Sequence, residues 1–271
     1  MLIGDFLSGR VSLSQVSVDP ADDDFAGKML ERLRNFGVTF SPGWLDAVKL
    51  ADLQNEFEGA FADSEGKPLE ELTAAGKDLS RSYGRTRTGR HLKYSNGDEL
   101  TDSLPVVHEV FNQAWMGELA SDYLGLPCTL NRHVILTDDH IPGDEIIPYH
   151  YDEMGALKFF IYLDPIDKEN GPFQAIPETR DATRQLRISE WLKHDDIEKV
   201  RIKVFESFSE DVFYALYGQF KLALQSRSIT FQAPAGSLLV FDTDTIHRAG
   251  LLSPGRRRRV VRGSSYRGLW P

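Results

Sequence analysis

Hydrophobic spacing shifts from mainly helical to mainly alternating near Cys128, and the shift limits the folds open to this chain. Up to Gly125 the apolar residues recur at helical intervals; from Cys128 onward they alternate, as on half-buried strands. Phe25, Met29, Leu30 and Leu33 line one face of a helix expected over 22–36, whose acidic start suits the positive end of a helix dipole. Gly37-Val-Thr-Phe reads as a short strand. A second helix is expected over 42–62, burying Trp44, Leu45, Val48, Leu50 and Leu53. A third is expected over 102–124, with Val106, Val110, Phe111, Trp115 and Leu119 inward, Pro105 in its first turn and Gly125 just past its end. The intervening 76–96 segment, rich in Gly, Ser and Arg, reads as a loop with a strand near 91–94. Arg85, Arg87 and Arg90 are expected to be solvated there.

The second half reads as strands. Leu130, Val134 and Leu136 alternate with Asn131 and His133. Further strands are expected at 157–163, at 173–176 after the turn Asn170-Gly171-Pro172, and at 228–232, 236–242 and 257–266. Between them, about 180–225 is helical in pattern and too long for an ordinary connection; insertions of that length often form lids. Trp191 is expected to pack rather than to stack on substrate, as is Trp115. Helices first and short strands later predict one mainly-β domain over 1–271, a sandwich or barrel buttressed by N-terminal helices.

Charge and cysteine usage narrow the function classes. A formal charge of −10 repels nucleic acid and anionic membrane, so neither is an expected partner. Cys128 is the single cysteine, so no internal disulfide can form, and it is expected to be a buried, inert thiol. No run approaches the roughly 18 apolar residues of a membrane span. The first residues lack a basic stretch followed by an apolar one, and a soluble cytoplasmic protein is expected. Arg256 to Arg259 could be read as a nucleic-acid patch, but the acidic whole opposes that. Strand alternation instead sends Arg256 and Arg258 to one side and Arg257 and Arg259 to the other. One inward arginine can then grip a carboxylate while the outward pair stays solvated.

The chemistry concentrates in three residues. His150 and Asp152 stand two apart in Pro-Tyr-His-Tyr-Asp, so on a strand both can face inward. His247 follows a separate apolar strand, 237–241, and the arginine cluster begins nine residues later. Two imidazoles and one carboxylate form the facial triad of non-heme Fe(II) oxygenases, which leaves coordination positions open for cosubstrate and dioxygen. A His-x-Asp triplet alone is a weak signal; its setting between a Gly-Asp-Glu loop and an apolar strand strengthens it.

The chain resembles the phytanoyl-CoA dioxygenase family of Fe(II)/2-oxoglutarate oxygenases along most of its length. Gly37-Val-Thr-Phe, the His150-Tyr-Asp152 triplet, Tyr162-Leu-Asp-Pro, Glu169-Asn-Gly-Pro-Phe, Ala235-Gly-Ser-Leu-Leu-Val-Phe, His247, and Arg258 eleven residues after it carry the likeness. The resemblance implies a double-stranded β-helix, the cupin-like jelly roll, with Fe(II) on His150, Asp152 and His247. It implies 2-oxoglutarate as cosubstrate, its distal carboxylate held by Arg258, with Lys158 and Phe160 lining it. His133, beside Asn131, either reaches the same cavity or is a hydrogen-bonded core histidine. Lys158, among apolar neighbours, either meets an anion or extends to solvent. The implied activity is hydroxylation of a small-molecule metabolite, with dioxygen consumed and succinate and carbon dioxide released. The presence of Asp152 argues against halogenation. Tyr149 stands where the family often has Trp, and Pro177-Glu-Thr-Arg180 where it often has Gly-Ser-His, which argues against phytanoyl-CoA itself as substrate. Two rival readings stand beside this one: a cupin-like metal enzyme that needs no 2-oxoglutarate, and a non-catalytic metal-binding protein. Oligomeric state is not legible.

Overall fold

The computed structural model describes residues 11–64, 81–85, 88–94, 97–128, 130, 134–143, 146–152, 156–185 and 224–266. Asn131, His133, Trp191 and most of the expected insertion lie outside the described residues; 180–185 are helical.

After a short helix α1 (Leu13–Val16), α2 (Phe25–Phe36) forms where expected and buries Met29 and Leu33. It stops at Gly37, whose φ of 73° lets its N–H turn back to the Leu33 carbonyl. Strand β1 (Val38–Ser41) follows and is buried throughout. Helix α3 (Ala47–Ser64) starts later than its spacing suggested. Asp46 Oδ1 accepts from the amides of Val48 and Lys49 at 2.9 and 2.8 Å, and this side-chain acceptor fixes the first turn. Val48 is consequently 73% exposed rather than buried, while Trp44 and Leu45 reach the core from the preceding turn.

The single helix expected over 102–124 is three: α4 (Gly97–Ser103), α5 (Pro105–Phe111) and α6 (Ala114–Leu124). Pro105 offers no amide to continue α4 and instead opens α5. The first free amides of α5, Val106 and Val107, are met by the Glu56 carboxylate at 2.9 and 2.8 Å. The expected loop over 76–96 contains a hairpin, β2 (Arg81–Arg85) with β3 (Gly89–Tyr94). Cys128 is half-buried, not sealed in the core.

Eight further strands follow: β4 (Val134–Asp139), β5 (Ile147–His150), β6 (Ala156–Tyr162), β7 (Phe173–Ala175), β8 (Ile229–Thr230), β9 (Leu238–Asp242), β10 (His247–Ala249) and β11 (Arg258–Tyr266). With β1, β2 and β3 they make a seven-stranded sheet in the order β1-β9-β6-β11-β4-β3-β2 and a four-stranded sheet in the order β5-β10-β7-β8. All the ladders are antiparallel.

Strand alternation splits the large sheet into two chemically distinct faces. Leu92, Leu136, Val261, Phe159, Ile161 and Val240 pack outward against the helices. Val260, Phe160, Tyr162, Leu239 and Phe241 point inward and pack on Phe173, Ala175 and Ile229 of the small sheet. Two sheets face to face with helices behind one of them is the jelly-roll arrangement expected.

The arginine cluster follows this alternation but departs from expectation on its outer side. Arg257, although 38% exposed, and Arg259 are ion-paired rather than free in solvent. Arg257 donates to Asp138 and Glu58, and Arg259 to Asp164 and Glu58, fastening α3 to the sheet. Arg90, expected in solvent, pairs with Asp138 at 3.0 Å and lies over the Phe61 ring.

Candidate metal centre

The small sheet and one turn bring the three candidate ligands together. His150 ends β5 and His247 begins β10, and the two are direct partners in the ladder. Their ring centroids are 4.3 Å apart. Asp152 lies just past β5, where its amide donates to the Thr243 carbonyl at 2.9 Å and so anchors it to the turn before β10. One donor atom from each of His150, Asp152 and His247 lies within 4.8 Å of the others.

Two of the three side chains are aimed by a neighbour. His247 Nδ1 is 2.7 Å from the Thr245 carbonyl, which can only accept. Nδ1 therefore carries the proton, and Nε2 keeps its lone pair for a metal. Asp152 Oδ1 is 3.5 Å from His150 Nε2 and 4.0 Å from His247 Nε2. Lys158 Nζ donates to the other oxygen, Oδ2, at 2.5 Å, leaving Oδ1 facing both imidazoles. Phe173 stacks on His247 with 5.4 Å between centroids, closing the apolar side.

The electrostatics suit a cation. Burial pushes the Asp152 carboxyl up, but hydrogen bonding to His150 and the charge and hydrogen bond of Lys158 outweigh it, and the group stays ionised well below its ordinary range. Burial, with His150 beside it, pushes His247 down to about 3, so its imidazole is neutral at pH 7. One anion and two neutral nitrogens with a shared focus fit a divalent transition metal.

Lys158 meets an anion, as one branch of its expectation had it, but that anion is Asp152. Phe160 is inward, buried, and edge-on to Phe173 and Phe241. Arg258 is also inward and buried. Its Nε and Nη2 donate to Asp139 Oδ2 at 3.0 and 2.7 Å, and Nη1 donates to the Gly171 carbonyl at 2.9 Å. Gly171 itself has φ +70°, a backbone conformation strained for any side chain, so the Asn-Gly-Pro turn calls for glycine.

Sequence reasoning missed two inward hydroxyls. Thr137 Oγ1 and Tyr162 OH are buried with no hydrogen-bond partner. Tyr162 feels the charges of Arg258, Arg262 and Asp139. Alternation put both on the inner face; only the tertiary fold left them unpaired. Orphaned donors beside buried guanidinium groups suit an oxyanion.

Residues 36–260 match the phytanoyl-CoA dioxygenase (PhyH) family. This chain belongs to the phytanoyl-CoA dioxygenase family. It is accordingly a non-heme iron, 2-oxoglutarate-dependent oxygenase, as its motifs led one to expect. Solved structures share the fold at low identity. EctD from S. alaskensis with bound Fe is 16% identical over 95% of this chain and 83% of that one, with a TM-score of 0.59. The alpha ketoglutarate dependent carbocyclase SnoK from nogalamycin biosynthesis is 13% identical over 95% and 87%, with a TM-score of 0.57. The epimerase SnoN in complex with Fe3+, alpha ketoglutarate and nogalamycin RO is 16% identical over 90% and 84%, with a TM-score of 0.52. No curated protein matches the chain in sequence. Within the described residues no helix is long and apolar enough to cross a membrane.

Proposed function

We propose that this phytanoyl-CoA dioxygenase family member hydroxylates a small molecule, with His150, Asp152 and His247 holding Fe(II) and the interior beyond them seating 2-oxoglutarate. The convergence of three donor atoms within 4.8 Å carries this reading. When bound, the metal and cosubstrate supply the oxidising power for which dioxygen is activated; the chain's part is to hold, orient and exclude water.

Lys158 fixes Asp152 through Oδ2 and offsets charge at the ligand set. The His247 tautomer is set by the Thr245 carbonyl. Arg258 is the cation for the distal carboxylate, oriented by Asp139 and the Gly171 carbonyl. The Tyr162 and Thr137 hydroxyls complete that cradle, and Phe160, Phe173 and Phe241 keep it dry. His133 lies outside the described residues and keeps its place as a candidate for the same lining. One catalytic domain over 1–271, soluble and cytoplasmic, fits the acidic, single-cysteine composition.

Anaerobic addition of Fe(II) and 2-oxoglutarate tests the proposal directly. A weak visible charge-transfer band is expected in the wild type and not in His247→Ala. A wild-type protein that binds Fe(II) yet gives no band, and forms no succinate with any substrate offered, would overturn it.

A further inference from the structure

The inner face of the large sheet carries more positive charge than iron binding and cosubstrate explain. Register aligns Lys93 with Ile135, Ile135 with Arg262, and Arg262 with Phe160. Direct ladder partners point to the same side, so Lys93, Ile135, Arg262 and Phe160 form one row across four strands. His91 lies two residues from Lys93 on that same face. Burial and the charges of Arg262 and Lys93 push its imidazole down and keep it neutral.

Arg262 makes no hydrogen bond and no ion pair with any described residue. Its one ring contact is Phe160, whose centroid lies 5.7 Å from the guanidinium carbon. Nε is sealed and unpartnered, yet the side chain keeps accessible surface. Burial pulls the group down to about 10, although Asp139 and Asp152 act in the other direction. Partial accessibility together with strong desolvation places the guanidinium in a recess of the inner face rather than in bulk water. Lys93 is half-buried and has no ionic partner among the described residues.

The anions already present are accounted for. Asp152 is matched by Lys158, and Asp139 by Arg258. Resting on the reading above, Fe(II), Lys158, Arg258, Arg262 and Lys93 bring six positive charges to this face against four negative ones from Asp139, Asp152 and the two carboxylates of 2-oxoglutarate, the distal one sharing Arg258 with Asp139. Arg262 and Lys93 then remain as two cations without a counter-ion, and an unpaired buried guanidinium is costly unless a ligand completes it.

We infer that Arg262, supported by Lys93, is the substrate-recognition cation of this oxygenase, and that the substrate carries a carboxylate or phosphate group. Ile135 and Phe160, between and beside the two cations, give the adjoining part of the substrate an apolar surface.

The test uses the full-length protein loaded with Co(II), which supports no turnover, and saturated with 2-oxoglutarate. Titration calorimetry measures binding of inorganic phosphate, hexanoate and neutral hexanamide. At least one anion should bind more tightly than hexanamide, and the better of the two identifies the oxyanion. That affinity should fall at least tenfold in Arg262→Gln, fall less in Arg262→Lys, and weaken in Lys93→Gln. Affinity for 2-oxoglutarate, read from the Co(II) d–d spectrum, should change less than threefold in Arg262→Gln. The ligand-free Arg262→Met protein should melt no lower than wild type, because the charge it removes had no partner. Equal anion binding by wild type and Arg262→Gln, or no anion binding by either, overturns the inference. Collapse of 2-oxoglutarate binding in Arg262→Gln also overturns it and makes Arg262 the cosubstrate clamp. Failure of the wild type itself to bind Co(II) and 2-oxoglutarate instead overturns the proposed function, a result visible before any variant is made.

Discussion

Tyr162 hides a hydroxyl that no described residue meets, and a protein core seldom tolerates such a group without return. Tyr162→Phe removes that oxygen and almost nothing else. Ligand-free stability should rise by about 1 kcal/mol, since an unsatisfied buried polar group costs ~1–3 kcal/mol. Affinity for 2-oxoglutarate should fall by about five- to tenfold if the hydroxyl completes the carboxylate cradle, given ~1.4 kcal/mol per tenfold. Thermal melts and a charge-transfer titration read the two effects separately; a loss of stability with unchanged affinity would assign the hydroxyl a purely structural role. At the metal, His247→Ala should abolish iron retention while leaving the fold intact, measured as metal per protein after desalting. His150 and Asp152 were legible in the sequence because they stand two apart next to an apolar strand, although Asp152 falls just past the end of β5. His247 was legible as a chemical type after an apolar strand. Arg262 was not, because nothing in its spacing distinguishes a paired arginine from an unpaired one.

Among the strands and helices, the decisive contacts are ionic ties between the outer face of β11 and its neighbours. Burial alone would push the Asp138 carboxyl up, but Arg257 and Arg90 outweigh it and hold it below its ordinary value of 3.8. The unfolded chain therefore takes up this proton more readily than the folded one. The stabilisation is fully present above the unfolded value, at about pH 4 and higher, and is lost as pH falls through the lower folded value. Urea melts between pH 5 and 2 should show this loss in the wild type and less of it in Arg257→Met. At pH 7 that variant should lose about 1–3 kcal/mol, because Asp138 stays buried with Arg90 as its remaining guanidinium partner. Gly171→Ala should also destabilise, and should weaken 2-oxoglutarate binding, because the turn that carries the Arg258 acceptor cannot keep φ +70° without strain. The sequence misplaced these elements where side chains act at a distance. Asp46 sets the start of α3, Pro105 divides the helical stretch, and pairing with β4 draws a polar, Arg-rich segment into β3.

Across the whole molecule, metal binding at the proposed ligand set would couple distant parts of the sequence, because His150 and His247 lie 97 residues apart in the chain. A divalent ion that binds only the folded state should stabilise it by ~2.7 kcal/mol at a hundredfold excess over its dissociation constant. Added Co(II) should therefore raise the melting temperature by several degrees at pH 7, and by less as pH falls toward about 3, where protons compete for His247. An equal rise in His247→Ala would place the stabilising ion elsewhere. The chain by itself determined the class of fold, the three candidate ligands and the family, because alternation, spacing and ligand chemistry are local properties of the sequence. Only the folded molecule decided which polar groups found partners. Arg257 and Arg259 gained carboxylates from a distant helix and Arg258 gained Asp139, whereas Tyr162, Thr137 and Arg262 were left open. Whether a buried donor is satisfied depends on every neighbour the topology delivers to it, and no local pattern encodes that.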